Sequence, residues 1–336
     1  MTDRGPDAWL QPLPLPDGQA LPGRLLPGPM EGVSEGSFLD VMTERGLVQA
    51  WHTPFLRIST GVPRRARLAA WLAPYLATGR PVIAQIMGTD SARLAAAARR
   101  LHDAGAIGVD LNCACPSPTV VGNQAGGYRL RDPDWIARTL DAMRQTCGVR
   151  AISVKIRCGF ESPAELPAIA AALRRAAPDL VFCHFRTVRE MYRPVADGLE
   201  RLRRLRDLLP DARLFGAGDL FTVEDAFRMG ETTQVDGVTP ARGLIRNPGL
   251  LREIAAALGG PAFTPLTSED KISFLHDLSE RSGLPVRKRG FVIHVARAMG
   301  IGFSFPGHAP ATPEEDSAET PEPSPEPGQS PLPPAP

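Results

Sequence analysis

The chain has 336 residues, of which 43% are hydrophobic and 22% charged, with a formal net charge of +1. That length suits one large α/β domain with a small appendage, or two modest domains. It has no run approaching the roughly 18 apolar residues of a membrane span, and the opening "MTDRGPDAWLQPLPLPDGQALPGR" lacks the charged-then-apolar layout of a secretory signal.

Five cysteines without regular spacing suit a reducing compartment, so a cytoplasmic protein without a membrane partner is expected. Residues 1–22 read as a flexible N-terminal segment. From residue 23 to 260, short β-like runs alternate with helix-like runs. The candidate strands are 25–30, 49–58, 81–87, 107–113, 151–157, 180–185, 212–218 and 235–241. Most have the continuous apolar character of parallel strands covered on both faces.

The intervening segments carry helical spacing and start signals. In "DPDWIARTLDAMRQTC", Asp132 suits the N-cap and Pro133 the first helical position; Ile136, Leu140, Met143 and Cys147 then share one face. In "LERLRRLRDLLP", Leu202, Leu205 and Leu208 or Leu209 make an inner stripe, with the arginines facing out. Eight strand–helix repeats over about 230 residues are the count and length of a (β/α)8 TIM barrel. A doubly wound open sheet is the competing topology. Residues 261–305 read as a short helical cap of two helices.

From Pro306 the chain is rich in proline, with six acidic residues and no Lys or Arg. Such a segment buries too little surface to offset its ordering entropy and is expected to be disordered. Residues 1–305 then carry +7, six more than the whole chain. Basic clusters stand at Arg64, Arg65 and Arg67, at Arg201, Arg203, Arg204 and Arg206, and at Arg287, Lys288 and Arg289. Each alone reads as a solvated face; together they favour an anionic partner such as RNA.

In a barrel, functional groups belong at the C-terminal strand ends. Gln85, Asn112, Cys115, Lys155, Arg157, His184 and Arg186 occupy such positions. One buried Lys or His is ordinarily structural, but several at equivalent positions converge on one cavity. The two cysteines of "NCACPSP" (112–118) leave four readings open: metal site, disulfide, reactive thiol or core filling.

The ordered motifs resemble those of the tRNA-dihydrouridine synthases, flavin barrels that reduce a uracil base in tRNA, and most of all the bacterial DusC subgroup. They are "PGPMEGV" (27–33), "AQIMG" (84–88), "GVDLNCACPSPTVVGNQAGG" (108–127), "SVKIRCG" (153–159), "HFRTVREMYRP" (184–194), "GAGDL" (216–220) and "DGVTPARGLIRNP" (236–248). The resemblance implies FMN as cofactor, NADPH as reductant and tRNA as partner, with hydride from reduced FMN to uracil C6 and a proton to C5.

The proton donor implied by the family is the cysteine before proline, here Cys115. A thiol of ordinary pKa, about 8.5, is mostly protonated at neutral pH and can serve. Cys113 reads as core. No second Cys/His pair stands at zinc-like spacing, and geometry and compartment argue against a disulfide, so no metal is expected.

By the same resemblance Pro29 and Met30 line the flavin ring, Gln85 bonds its polar edge and Lys155 sits by N1 and O2. His184 bounds the cofactor pocket, Asn112 holds the substrate base, and Arg186 bounds the substrate side. The phosphate lies against Gly218, Asp219, Arg242 and Gly243.

The sequence departs from the family pattern in several places. Pro118 replaces the lysine after Cys-Pro, and Pro54 replaces a glutamate. Ala217 replaces an asparagine, Ala241 a glycine, and Tyr128 a small residue. The C-terminal helical domain is shortened. These changes keep two other readings open: an inactive barrel retaining flavin or tRNA binding, and a flavin oxidoreductase acting on a small molecule.

Overall fold

The computed structural model describes residues 4–283 and 289–303. Arg287, Lys288 and the acidic segment from Pro306 lie outside the described residues. The strands are β1 (Leu13–Pro14), β2 (Ala20–Leu21), β3 (Trp51–His52), β4 (Leu56–Ile58), β5 (Val82–Gly88), β6 (Gly108–Asn112), β7 (Ala151–Arg157), β8 (Leu180–His184), β9 (Leu214–Ala217) and β10 (Gly237–Val238).

The helices are α1 (Gly36–Glu44), α2 (Arg65–Leu76), α3 (Ser91–Asp103), α4 (Pro118–Gly122), α5 (Pro133–Cys147), α6 (Leu166–Ala176) and α7 (Gly198–Leu208). They continue with α8 (Val223–Thr233), α9 (Arg242–Arg246), α10 (Leu250–Ala257), α11 (Ser268–Arg281) and α12 (Gly290–Met299).

The chain forms a (β/α)8 barrel. Strands β3 and β5 to β10 pair in parallel in the order β10-β9-β8-β7-β6-β5-β3, and β4 also pairs with β5. The expected first strand is reduced to a parallel bridge between Leu25 and Val238. The N–H groups of Leu26 and Gly28 donate to Val238 O (3.1 Å) and Pro240 O (2.8 Å), bringing the start of the barrel alongside its last strand.

The expected strand 49–58 is split because Pro54 has no N–H to continue the ladder. The Thr53 side chain bridges the break, accepting the Gln85 N–H at 2.9 Å and donating to Pro54 O at 2.9 Å. Asp132 caps α5 as expected, accepting the Trp135 N–H at 2.9 Å, and Ile136, Leu140, Met143 and Cys147 are all buried.

Two expectations are corrected. Residues 5–22 are not a free segment: β1 and β2 form an antiparallel hairpin beneath the barrel. Leu13, Leu15 and Leu21 pack with Ile83, Phe182 and Phe215 at the N-terminal strand ends. Leu13 and Leu15 face in while Pro14 and Pro16 face out, the period of two of a strand edge where proline is tolerated. Trp9 is fully buried and donates its Nε1–H to Val235 O at 3.2 Å. The physical reason is that an open barrel end leaves apolar side chains that need a cover.

The second correction concerns α7. Leu202 and Leu205 are buried as expected, but so are Arg201 and Arg206. Arg201 donates to Glu190 (2.7 and 3.0 Å) and Asp197 (2.9 Å); Arg206 donates to Asp236 (2.6 Å) and Ala212 O (2.8 Å). Carboxylates and carbonyls from neighbouring loops satisfy these guanidinium groups, so two of the four arginines clamp the fold rather than face solvent. Helices α11 and α12 pack on the barrel's flank, with Phe274 and Phe291 edge-on to Phe38 of α1 and Arg45 bonded to Asp277 at 2.7 Å.

Candidate active site

A cavity of about 570 Å³ opens at the C-terminal ends of the strands. Of the residues singled out in the sequence, Pro29, Met30, Gln85, Asn112, Cys115, Lys155, His184, Gly218, Asp219, Arg242 and Gly243 all line it. The convergence follows from strand periodicity. Gln85, Asp110 and Ser153 stand side by side in register; two residues further along, Asn112 and Lys155 form the next inward pair.

Arg186 does not line the cavity. It is 2% exposed, and its guanidinium donates to both carboxylate oxygens of Asp219 (2.9 and 2.5 Å) and to Arg193 O. The expected substrate contact is therefore a clamp that holds Asp219, to which Arg242 also donates at 2.9 Å.

The site is electropositive. Among the described residues no carboxylate forms an ion pair with Lys155; burial and the nearby Arg157 lower its pKa to about 8, against a smaller opposing pull from Asp110. Arg157, lowered to about 10 mainly by burial, spends its donors on the carbonyls of Ala114, Thr187 and Met191. His184 is held well below the usual imidazole range by burial and then by Arg157, Lys155, Arg186 and Arg242. Its Nδ1 accepts the Arg186 N–H at 3.2 Å, so the neutral ring carries its proton on Nε2.

Cys115 is half-buried, and burial raises its thiol pKa, keeping it protonated at neutral pH. Cys113 is fully buried in the core beside the strand, its thiol pushed up by burial. The backbone N–H groups of Ala114 and Cys115 both donate to Asn112 Oδ1 at 3.0 Å, fixing the loop that carries the thiol.

The two glycines of the expected phosphate loops are set by packing. A Cβ on Gly218, where φ is +123°, would meet the Phe185 ring at 2.4 Å, and one on Gly243 would meet Leu220 O at 1.9 Å. Among the described residues, the N–H groups of Gly218, Asp219, Arg242 and Gly243 have no protein acceptor. Thr239 Oγ1, buried against the same cavity, is also without a partner among the described residues. Unmet donors beside the Lys155 ammonium suit an anionic ligand. Among the described residues, no group of three or more His, Cys, Asp or Glu could hold a metal ion.

At the mouth of the cavity the sequence singles out Arg157 and Arg242 but not Tyr192, Phe221 or Arg246. Arg157, Tyr192, Arg242, Phe221 and Arg246 form an alternating series of cations and rings, with guanidinium-to-centroid distances of 5.6, 4.7, 5.7 and 4.4 Å in turn. The series runs outward from buried Arg157 to exposed Arg246; Tyr192 is 52% exposed. Tyr192 and Phe221 sit in loops, where no periodicity marks them.

A family model described as dihydrouridine synthase (Dus) matches residues 25–276. The chain is 30% identical over 256 residues to the tRNA-dihydrouridine(16) synthase of Pseudomonas putida, covering 74% of this chain and 78% of that protein. It is 31% identical over 239 residues to the protein of that name from Aquipseudomonas alcaligenes, covering 69% and 75%. Among solved structures, TcOYE with pHBA superposes with a TM-score of 0.55 at 12% identity, covering 79% of this chain and 96% of that one. A 2-naphthoyl-CoA reductase complex superposes at 0.58 and 13%, covering 76% and 53%. These two likenesses are of fold.

Proposed function

Because the chain belongs to the dihydrouridine synthase family, we propose that it reduces a uridine of tRNA to 5,6-dihydrouridine, using FMN as cofactor and NADPH as reductant, in the cytoplasm where tRNA is found. The observation that carries this reading is a protonated, half-buried Cys115 thiol in one cavity with the unpaired Lys155 ammonium and the neutral His184 ring.

The residues present fit a flavin mononucleotide. Lys155 and Arg157 supply positive charge, His184 Nε2–H a neutral donor, and the unpaired N–H groups of Gly218, Asp219, Arg242 and Gly243 a cradle for the phosphate. Pro29 and Met30 give apolar wall, and Asn112 and Gln85 give amide edges to the floor.

Bound flavin supplies the hydride that adds at uracil C6. The remaining work falls to the chain: Cys115 donates its Sγ proton at C5, and the surrounding burial keeps that proton on sulfur until it is needed. Each turnover consumes one NADPH and one proton, and the Cys115 proton is restored from solvent.

The target base must leave the folded tRNA to reach the cavity. The arginine–aromatic series at the mouth supports an unpaired strand there, since bases stack on aromatic rings and guanidinium planes. Two of the substitutions named above are accommodated locally. Pro118 occupies the first turn of α4, where no N–H is needed, and Tyr128 packs edge-on against Phe160.

The test is anaerobic. NADPH should bleach the visible flavin bands of the purified protein, and uridine-containing tRNA should restore them with formation of dihydrouridine. Cys115→Ala should bleach normally yet fail to reoxidise with tRNA. A wild-type protein that binds flavin and tRNA but forms no dihydrouridine would refute the reading.

A further inference from the structure

Beneath the cavity floor lies a fully buried carboxylate that the proposed chemistry does not use. Asp110, on β6, accepts from Gln85 Nε2 at 2.7 Å and from Ser153 Oγ at 2.8 Å, and His52 Nε2 lies 3.2 Å from its Oδ2. Gln85 Oε1 in turn accepts from Asn112 Nδ2 at 2.7 Å. Asn112 Oδ1 accepts the backbone N–H groups of Ala114 and Cys115.

The polarity of this chain of bonds is determined at both ends. Asp110 accepts at both oxygens, from Gln85 and from Ser153, so the Gln85 amide turns its NH₂ toward Asp110 and its carbonyl toward Asn112. The loop offers only N–H groups, so Asn112 must turn its carbonyl to the loop and its NH₂ to Gln85. Only one orientation of the two amides satisfies both ends. Turning either amide leaves two donors or two acceptors facing each other in a buried site, which costs the desolvation of each unmet group.

We propose that Asp110 is a positioning residue: by fixing the direction of the Gln85 and Asn112 amides it seats the loop that carries Cys115. The description of Cys115 as the proton donor rests on the function proposed above; the seating of the loop does not. What matters is an acceptor at this point rather than its charge. An asparagine at 110 can keep its oxygen toward Gln85 and His52 while its NH₂ donates to Ser153 Oγ, preserving the polarity. An alanine cannot.

The experiment reads Cys115 with a chromogenic disulfide reagent, without flavin or tRNA. Cys115 is half-buried and the other four cysteines are buried, so the fast-reacting thiol is Cys115, with Cys115→Ser as the control. Asp110→Ala is expected to speed its modification roughly tenfold by loosening the loop, and Asp110→Asn to leave the rate within about twofold of wild type. In turnover, Asp110→Ala should lower kcat with KM for tRNA nearly unchanged, and Asp110→Asn should restore it.

If Asp110→Ala does not fold, Gln85→Met cuts the chain one link nearer the loop and should speed modification equally. The inference is overturned if Asp110→Asn behaves like Asp110→Ala, or if Asp110→Ala only lowers the melting temperature while the Cys115 rate stays at the wild-type value. A wild-type protein without tRNA turnover would refute the proposed function and leave the thiol measurement as a test of the loop.

Discussion

Lys155→Met should stabilise the protein without ligand at neutral pH, and the gain should vanish in alkali. The ammonium sits near the end of β7 with no ion-pair partner among the described residues, its pKa lowered to about 8 by burial first and Arg157 second, from an ordinary 10.5. A lowered pKa on a base means that the folded state resists the proton the unfolded chain holds. Below about pH 8 the folded protein carries the full penalty. Between about 8 and 10.5 it has lost the proton while the unfolded chain retains it, so stability rises with pH through that window.

At about 1.4 kcal/mol per unit the ceiling is about 3 kcal/mol. Lys155 keeps partial exposure to cavity water, which screens the charge, so about 2 kcal/mol is the expected gain at pH 7. Methionine suits the replacement because its unbranched, uncharged chain fills the same space. Urea unfolding of both proteins at pH 7 and pH 10 measures the effect as a shift in midpoint at constant slope. A variant less stable than wild type at pH 7, or a gain that persists unchanged at pH 10, would refute the reasoning. Added FMN should reverse the order at pH 7, because its anionic groups favour the lysine.

Trp9→Ala should cost about 3–5 kcal/mol, since it empties a fully buried site between the N-terminal segment and α8 and removes the bond to Val235 O; thermal unfolding measures it. Gly218→Ala should abolish tight FMN binding in a fluorescence titration, because its Cβ would meet the Phe185 ring at 2.4 Å on a backbone with φ of +123°. Arg186→Lys should weaken FMN affinity roughly tenfold although Arg186 does not line the cavity, because one ammonium cannot hold both oxygens of Asp219. Asp132→Ala should cost about 1 kcal/mol through the lost cap of α5 and leave FMN affinity unchanged, which paired urea and flavin titrations would show.

The alternation of apolar runs and capped amphipathic helices marked eight strand–helix repeats, because both signals are local: side-chain direction repeats every two residues in a strand and every 3.6 in a helix. It did not by itself choose between a closed barrel and a doubly wound sheet. The same periodicity made the floor of the site legible, since Gln85, Asn112, Lys155 and His184 stand at the ends of successive strands that converge by geometry alone. Cys115 was legible from its motif.

What the sequence could not decide were the pairings between segments distant in the chain. Arg186 looked like a substrate contact until Asp219, 33 residues away, took both of its terminal nitrogens. Arg201 and Arg206 looked solvated until Glu190 and Asp236 met them. Residues 5–22 looked free until the open end of the barrel gave their leucines a place. A charged or apolar side chain fixes what its partner must be, but only the closed barrel determines which partner lies within reach.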